Sequence, residues 1–274
     1  MTAYVEASPL GKNSEYVSQY QRDLLFPLPR QTKRDEIGVP DPLPFFGADI
    51  WNGYEISWLD SKGKPQVAVA EFVFPCTSPN IVESKSFKLY LNSFNNTQLD
   101  SAAAVTALMT RDLTAAVGAP VGVDLVKVDE FPDTKIQVFS GTNLDLLEVA
   151  CDTYTVQPAF LTTQNSTARE VLFSNLLKSN CLVTGQPDWG SVKIEYQGNT
   201  INHEGLLKYI VSFRNHNEFH EQCVERIFMD IMRQCKPEKL SVYARYTRRG
   251  GLDINPYRST QADYAPGNIR LCRQ

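Results

Sequence analysis

Val211-Ser212-Phe213-Arg214-Asn215 closes one helix-like stretch of this chain, and Asn92-Ser93-Phe94-Asn95-Asn96 closes an earlier one much like it. Reading outward from the two tails, the flanking elements come in the same order. The first block has strand-like runs at Tyr54–Trp58 and Val67–Phe74, with alternation and β-branched or aromatic residues. A helix opens near Glu83, and an Ala-rich helix runs from about Leu99 to Val117 with Gly118 placed to cap it. Strand-like runs return at Val121–Val126 and Ile136–Phe139. The second block reads as strands at Cys181–Thr184 and Val192–Tyr196, helices over 204–214 and 217–235, then strands at Leu240–Tyr246 and around Leu252–Ile254. The sequence therefore predicts an α+β fold of two tandem ββααββ modules, antiparallel sheets with helices on one face. The modules span residues 49–150 and 151–274. A lead-in over 1–48 carries Pro27, Pro29, Pro40, Pro42 and Pro44, which forbid a long regular element.

The chain has 274 residues, 42% of them hydrophobic, with 14 Phe and 12 Tyr, enough to build a core in each module. A net charge of −4 leaves no basic footprint for nucleic acid, so no direct nucleic-acid partner is expected. No apolar run reaches the length of about 18 residues that a membrane span needs, and the N-terminus lacks the basic leader and apolar core of a secretory signal. The six cysteines, at 76, 151, 181, 223, 235 and 272, include no CxxC pair and read as free thiols of a cytoplasmic protein.

Cys181 is the candidate nucleophile. Gly185, Pro187 and Asp188 follow it at once, placing the thiol near a strand end and a turn, with a carboxylic acid on the far side. A charged carboxylate nearby would raise the thiol pKa, so Asp188 serves better as a proton donor than as an orienting anion. His220, in Glu218-Phe219-His220-Glu221-Gln222-Cys223, shares a helical face with Val224, Ile227 and Ile231 and points inward from the first turn. His216, His220 and Cys223 also have helical spacing for shared metal ligation, though a fourth ligand at suggestive spacing is missing. In Glu83-Ser84-Lys85-Ser86-Phe87-Lys88, Glu83 can accept hydrogen bonds from a ligand while the Ser and Lys residues meet an anion such as phosphate. Arg248-Arg249-Gly250-Gly251 offers a second anion-binding segment; its plainer reading is a solvated turn. GxGxxG and GxxxxGK[ST] patterns are absent.

Taken together, Glu83–Lys88, Cys181–Asp188, Ser212–His216 with Phe219–Glu221, and Arg248–Gly251 strongly resemble the NADPH-dependent 7-cyano-7-deazaguanine reductases, from about residue 10 to the C-terminus. Short members of that family carry all these motifs in one domain. Here the first block keeps the hexapeptide and the second keeps the cysteine, aspartate, His-Glu and Arg-Gly segments, so the chain is similar to the long, two-module form. The resemblance implies a tunnelling fold (T-fold), association into a homodimer, and reduction of a nitrile to a primary amine with two NADPH and no metal, in the queuosine branch of tRNA modification. It implies Cys181, Asp188 and His220 as catalytic residues. Ile81, Val82, Glu83, His220 and Glu221 are then the substrate-binding residues, and Ser84, Lys85, Arg249 and Gly250 meet NADPH. A cysteine-dependent nitrile or amide hydrolase, a metal-dependent pterin or purine enzyme of the same fold, and a non-catalytic purine-binding module are the competing readings.

Overall fold

The computed structural model describes residues 16–274, so the first part of the Pro-rich lead-in lies outside the described residues. The chain divides into two compact units. Of the described residues, one holds those up to Thr32 with Asp49–Thr134 and Arg248–Asp253; the other holds Lys33–Ala48, Lys135–Thr247 and Ile254–Gln274.

In the first unit, β2 (Phe46–Leu59) and β3 (Pro65–Pro75) are joined by the turn Asp60–Lys64, where Asp60 Oδ1 accepts from Lys62 N and Lys64 N at 2.9 and 3.0 Å. Beside β3 lies β5 (Gly122–Lys127), antiparallel to it from Ala68↔Lys127 to Val73↔Gly122. Alternation along β3 turns Ala68, Ala70, Phe72 and Phe74 inward. Helix α1 (Ser84–Asn92) drops Phe87 onto them, with ring centroids 5.0 Å from Phe72 and 5.3 Å from Trp51. A side chain of that size, fully buried, contributes about 1.5–3 kcal/mol. Helix α2 (Ala102–Val117) starts at Ser101, whose hydroxyl accepts from Ala104 N, and ends at Gly118 with φ 75°. Residues 17–29 run along this unit: Asn96 N donates to Ser18 O, Asn92 Nδ2 to Val17 O, and β1 (Pro27–Pro29) pairs with β4 (Asn80–Val82).

In the second unit, β6 (Thr163–Ser174), β8 (Pro187–Ile201), β9 (Lys239–Tyr246) and β10 (Leu252–Ser259) follow one another across an antiparallel sheet. The short strand β7 (Lys178–Asn180) pairs with the start of β8. Helices α3 (His203–Ser212) and α4 (His220–Cys235) supply Leu206, Tyr209, Ile210, Val224, Ile227 and Phe228 to the core, all buried. Residues 33–48 grip α4: Arg34 makes two hydrogen bonds to Glu225, and Arg258 shares the same carboxylate. Each of these three side chains is at most 6% exposed, so the pairing compensates charges that water cannot reach.

The two helix tails are the same piece of architecture. Ser93 Oγ donates to Tyr90 O at 2.6 Å, and Ser212 Oγ donates to Tyr209 O at 2.6 Å. Tyr90 packs edge-on to Phe94 at 5.2 Å, as Tyr209 does to Phe213 at 5.3 Å.

Two expected elements differ. Cys181–Thr184 is not a strand but the turn after β7, because Gly185 takes φ 65° and Gly185 N closes back on Cys181 O at 3.1 Å. The true partner of β8 is β6, whose first half, Thr163-Gln164-Asn165-Ser166-Thr167, is polar and hides the alternation. Ile136–Phe139 gives only a two-residue strand, Ile136–Gln137, paired in parallel with Arg270–Leu271 in the second unit.

Candidate active site

Each half of the expected chemistry lies within one unit. In the second, Asn180 builds the corner beside the candidate nucleophile. Its N–H donates to His216 O at 2.8 Å, its carbonyl accepts from Glu218 N at 3.1 Å, and its side-chain amide donates to Asn217 Oδ1 at 3.0 Å. This stitches β7 to the segment that enters α4. Cys181, the next residue, is thereby held beside the helix start that carries His220 and Glu221. Cys181 N donates to Gln186 O at 2.8 Å, which closes the turn and leaves the thiol half-buried.

Asp188 lies on β8 opposite Ser179 and is buried. His220 Nε2 is 3.6 Å from Asp188 Oδ1, so the structure unites two of the predicted catalytic side chains. The imidazole is the first residue of α4, a helix whose N-cap Phe219 offers no side-chain acceptor. Behind His220 the ring of Tyr246 packs with centroids 4.0 Å apart. Glu221 is buried at the second helical position.

Sequence spacing pointed to His216, His220 and Cys223 as a possible ligand set. The structure instead gathers His216, Glu218 and Cys223, with ligand atoms within 4.8 Å of one another. Arg226 binds both Glu218 oxygens at 2.9 Å, and His216 Nε2 lies 2.8 Å from Oε2. The guanidinium already neutralises the carboxylate. Burial alone would raise the Glu218 pKa, but the His216 and Arg226 hydrogen bonds overcome it and hold the group below the usual carboxylate range. Burial pushes the Cys223 thiol pKa well up. The trio therefore reads as the clamp that orients the entry to α4.

In the first unit, Glu83 is the N-cap of α1. Its two carboxylate oxygens accept from Lys85 N at 2.7 Å and Ser86 N at 2.8 Å. Burial raises its pKa, against the pull of those amides. Each oxygen keeps lone-pair capacity for a ligand N–H. Ile81 and Val82 are buried in β4 just before it.

Arg249 and Gly250 sit in a tight hairpin: Arg249 N donates to Leu252 O at 2.9 Å and Leu252 N to Arg249 O at 3.2 Å. Gly250 and Gly251 have φ of 56° and 69°, as a type I′ turn demands. A Cβ on Gly251 would come within 2.4 Å of Glu55 Cδ, and one on Gly250 within 3.3 Å of Lys88 Cδ. The glycines thus let the turn sit against Lys88 at the edge of a cavity of about 630 Å³, lined also by Tyr54, Ser57, Asn92 and Asn95. Such a volume is within the range of cofactor sites. Arg248 lies 3.6 Å over the Tyr54 ring, and its buried Nε has no hydrogen-bond acceptor among the described residues. An orphaned guanidinium N–H, a glycine turn and the Lys88 ammonium beside it fit a phosphate-bearing dinucleotide such as NADPH, and Ser84 and Lys85 lie on the first turn of the same helix.

Sequence reasoning did not find Asn180, Glu218, Arg226 or Tyr246. Arg226 and Tyr246 carry no motif, and their roles come from pairings between segments distant in sequence.

Two family models match the chain: the N-terminal model of nitrile reductase, 7-cyano-7-deazaguanine-reductase, over residues 16–125, and that of QueF-like protein over 187–265. Among curated relatives, the NADPH-dependent 7-cyano-7-deazaguanine reductase of Cupriavidus necator is 60% identical over 98% of this chain and 99% of its own length. That of Ralstonia nicotianae is 60% identical over 99% of this chain and all of its own. That of Dechloromonas aromatica is 60% identical over 98% and 95%. With identity of this order along nearly the whole length, the chain belongs to the NADPH-dependent 7-cyano-7-deazaguanine reductase family.

Proposed function

We propose that this protein reduces the nitrile of 7-cyano-7-deazaguanine to the primary amine, 7-aminomethyl-7-deazaguanine, using two NADPH, as a step of queuosine biosynthesis. The observation that carries the reading is the corner where the Cys181 turn, Asp188 and His220 meet in a chain 60% identical to reductases of that name.

The thiol of Cys181 adds to the nitrile carbon, and the nitrogen takes up a proton, giving a covalent thioimide. Asp188 is the donor to that nitrogen, and His220, 3.6 Å away, holds or relays the proton. Bound NADPH supplies a hydride at each of the two reductions. The first hydride, with one proton, gives a thiohemiaminal; its carbon–sulfur bond then breaks, the sulfur regains the proton lost by the nitrogen, and Cys181 is released as the thiol with an imine remaining. The second reduction with one further proton gives the amine. Glu221 accepts hydrogen bonds from N–H groups of the base, and Glu83 has the same capacity. A pocket that pairs those N–H groups discriminates against bases that lack them. Ser84, Lys85, Arg249 and Gly250 hold the cofactor phosphates, beside the cavity at Lys88 and the glycine turn.

The T-fold arrangement of the 49–150 and 151–274 modules, cytoplasmic residence and assembly as a homodimer belong to the same proposal. The sheets are antiparallel and mixed with helices, as that fold requires, and no helix among the described residues is long and apolar enough to cross a membrane. The test is NADPH oxidation on addition of 7-cyano-7-deazaguanine, with the amine identified by mass. Ammonia release with no NADPH consumed would place the protein among thioimide-forming hydrolases instead. A requirement for added metal would point to the metal-dependent alternative.

A further inference from the structure

We propose that Tyr246 is a positioning residue for His220, its ring forming a shelf that holds the imidazole with Nε2 toward Asp188. The proposal rests on the reductase reading for its kinetic consequences and on geometry for its substance. His220 is the first residue of α4, and its ring leaves the helix start toward β8 and β9. The Tyr246 ring lies against it at 4.0 Å between centroids, tilted 50°. Contact at that distance removes alternative imidazole rotamers, leaving Nε2 3.6 Å from Asp188 Oδ1.

The shelf is itself held on every side. Tyr246 ends β9, and its Cα partner on β8 is Gly190. A Cβ at Gly190 would lie 3.2 Å from Tyr246 Cδ1 and Cε1, so a residue without a side chain stands where the ring crosses the neighbouring strand. The Tyr246 carbonyl accepts from Gln274 Nε2 at 3.0 Å, and its N–H donates to Asn255 Oδ1 at 3.3 Å. The ring is buried, and its hydroxyl lies beside the buried Cys223 thiol, within electrostatic reach of Asp188 and Glu221. The contact that the ring makes in this corner is with the imidazole. Tyr246 acts through the imidazole, and proton transfer is sensitive to displacements of this order.

The experiment compares Tyr246→Phe, which keeps the ring, with Tyr246→Leu, which removes it, and adds Gly190→Ala, which presses on it. With only three histidines in the chain, the His220 ring protons can be assigned by NMR, and a ring in this contact shifts them. Tyr246→Leu is expected to abolish that shift and to lower kcat by about tenfold to a hundredfold, with the KM for NADPH unchanged. Tyr246→Phe is expected to keep the shift and restore most of the turnover. Gly190→Ala is expected to reduce both the shift and kcat by intermediate amounts. Wild-type kcat in Tyr246→Leu overturns the proposal, as does a Tyr246→Phe variant as slow as Tyr246→Leu while its His220 shift persists. If the unaltered protein oxidises no NADPH with the nitrile, the reductase reading fails, and the NMR shift still decides the shelf.

Discussion

Tyr209 donates its phenolic hydrogen to the buried carboxylate of Asp230 at 2.7 Å, repeating the bond that Tyr90 makes to Asp112 at 2.8 Å in the first unit. Both tyrosines follow the same rule, a helix residue three before a Ser-Phe pair anchoring the next helix. Tyr209→Phe removes the donor and leaves Asp230 short of a partner in a buried setting, which is expected to destabilise the protein by about 1–3 kcal/mol. Urea denaturation should show a lowered midpoint at unchanged slope. Tyr90→Phe should behave alike, with a smaller effect, because Asp112 also receives Tyr20 and Arg111.

Glu218 predicts the acid limb of stability. Its folded-state pKa lies below the ordinary value, through His216 and Arg226, despite burial. A depressed carboxylate stabilises the fold fully above its unfolded pKa, and that contribution is lost as pH falls through the folded value. Stability measured by denaturation should therefore drop on acidification below the usual glutamate range. In Glu218→Gln the drop over that window should be shallower, from a lower starting stability at neutral pH.

The glycine hairpin predicts a cofactor defect separable from chemistry. Gly251→Ala places a methyl against Glu55 at a φ of 69°, with strain of roughly 1–3 kcal/mol. NADP⁺ affinity, measured by titration calorimetry, should weaken by about tenfold or more. Formation of the Cys181 adduct, which needs no cofactor, should be retained.

Arg249→Ala should act on the same side of the reaction. Losing a charge-assisted bond worth about 1.5–3 kcal/mol should raise the KM for NADPH tenfold or more while the KM for the nitrile stays near its original value.

Much of the fold was legible because its signals are local. The α2 helix was readable from its alanines and from Gly118, whose left-handed φ of 75° is the cap its sequence position implied. Val67–Phe74 alternates as a half-buried strand must, and Leu240–Tyr246, rich in apolar and aromatic residues, is buried throughout. β6 was not legible, since its leading half is polar and only pairing with β8 makes it a strand. Cys181-Leu182-Val183-Thr184 has strand-like composition, and the Gly185 turn overrides it. For the proposed site, motif and spacing make Cys181, Asp188 and His220 candidates, and the structure brings Asp188 and His220 together. The Asn180 stitch and the Glu218–Arg226 clamp that set their geometry depend on tertiary contacts that no local pattern encodes.

The covalent role of Cys181 is the centre of the account, and intact-mass analysis of the protein with 7-cyano-7-deazaguanine, without NADPH, tests it most directly. The account predicts one added mass equal to the whole base, mapped to Cys181, absent in Cys181→Ala and discharged as the amine when NADPH is supplied. Turnover that survives in Cys181→Ala, or turnover of the unaltered protein with no adduct trapped on Cys181, would contradict it.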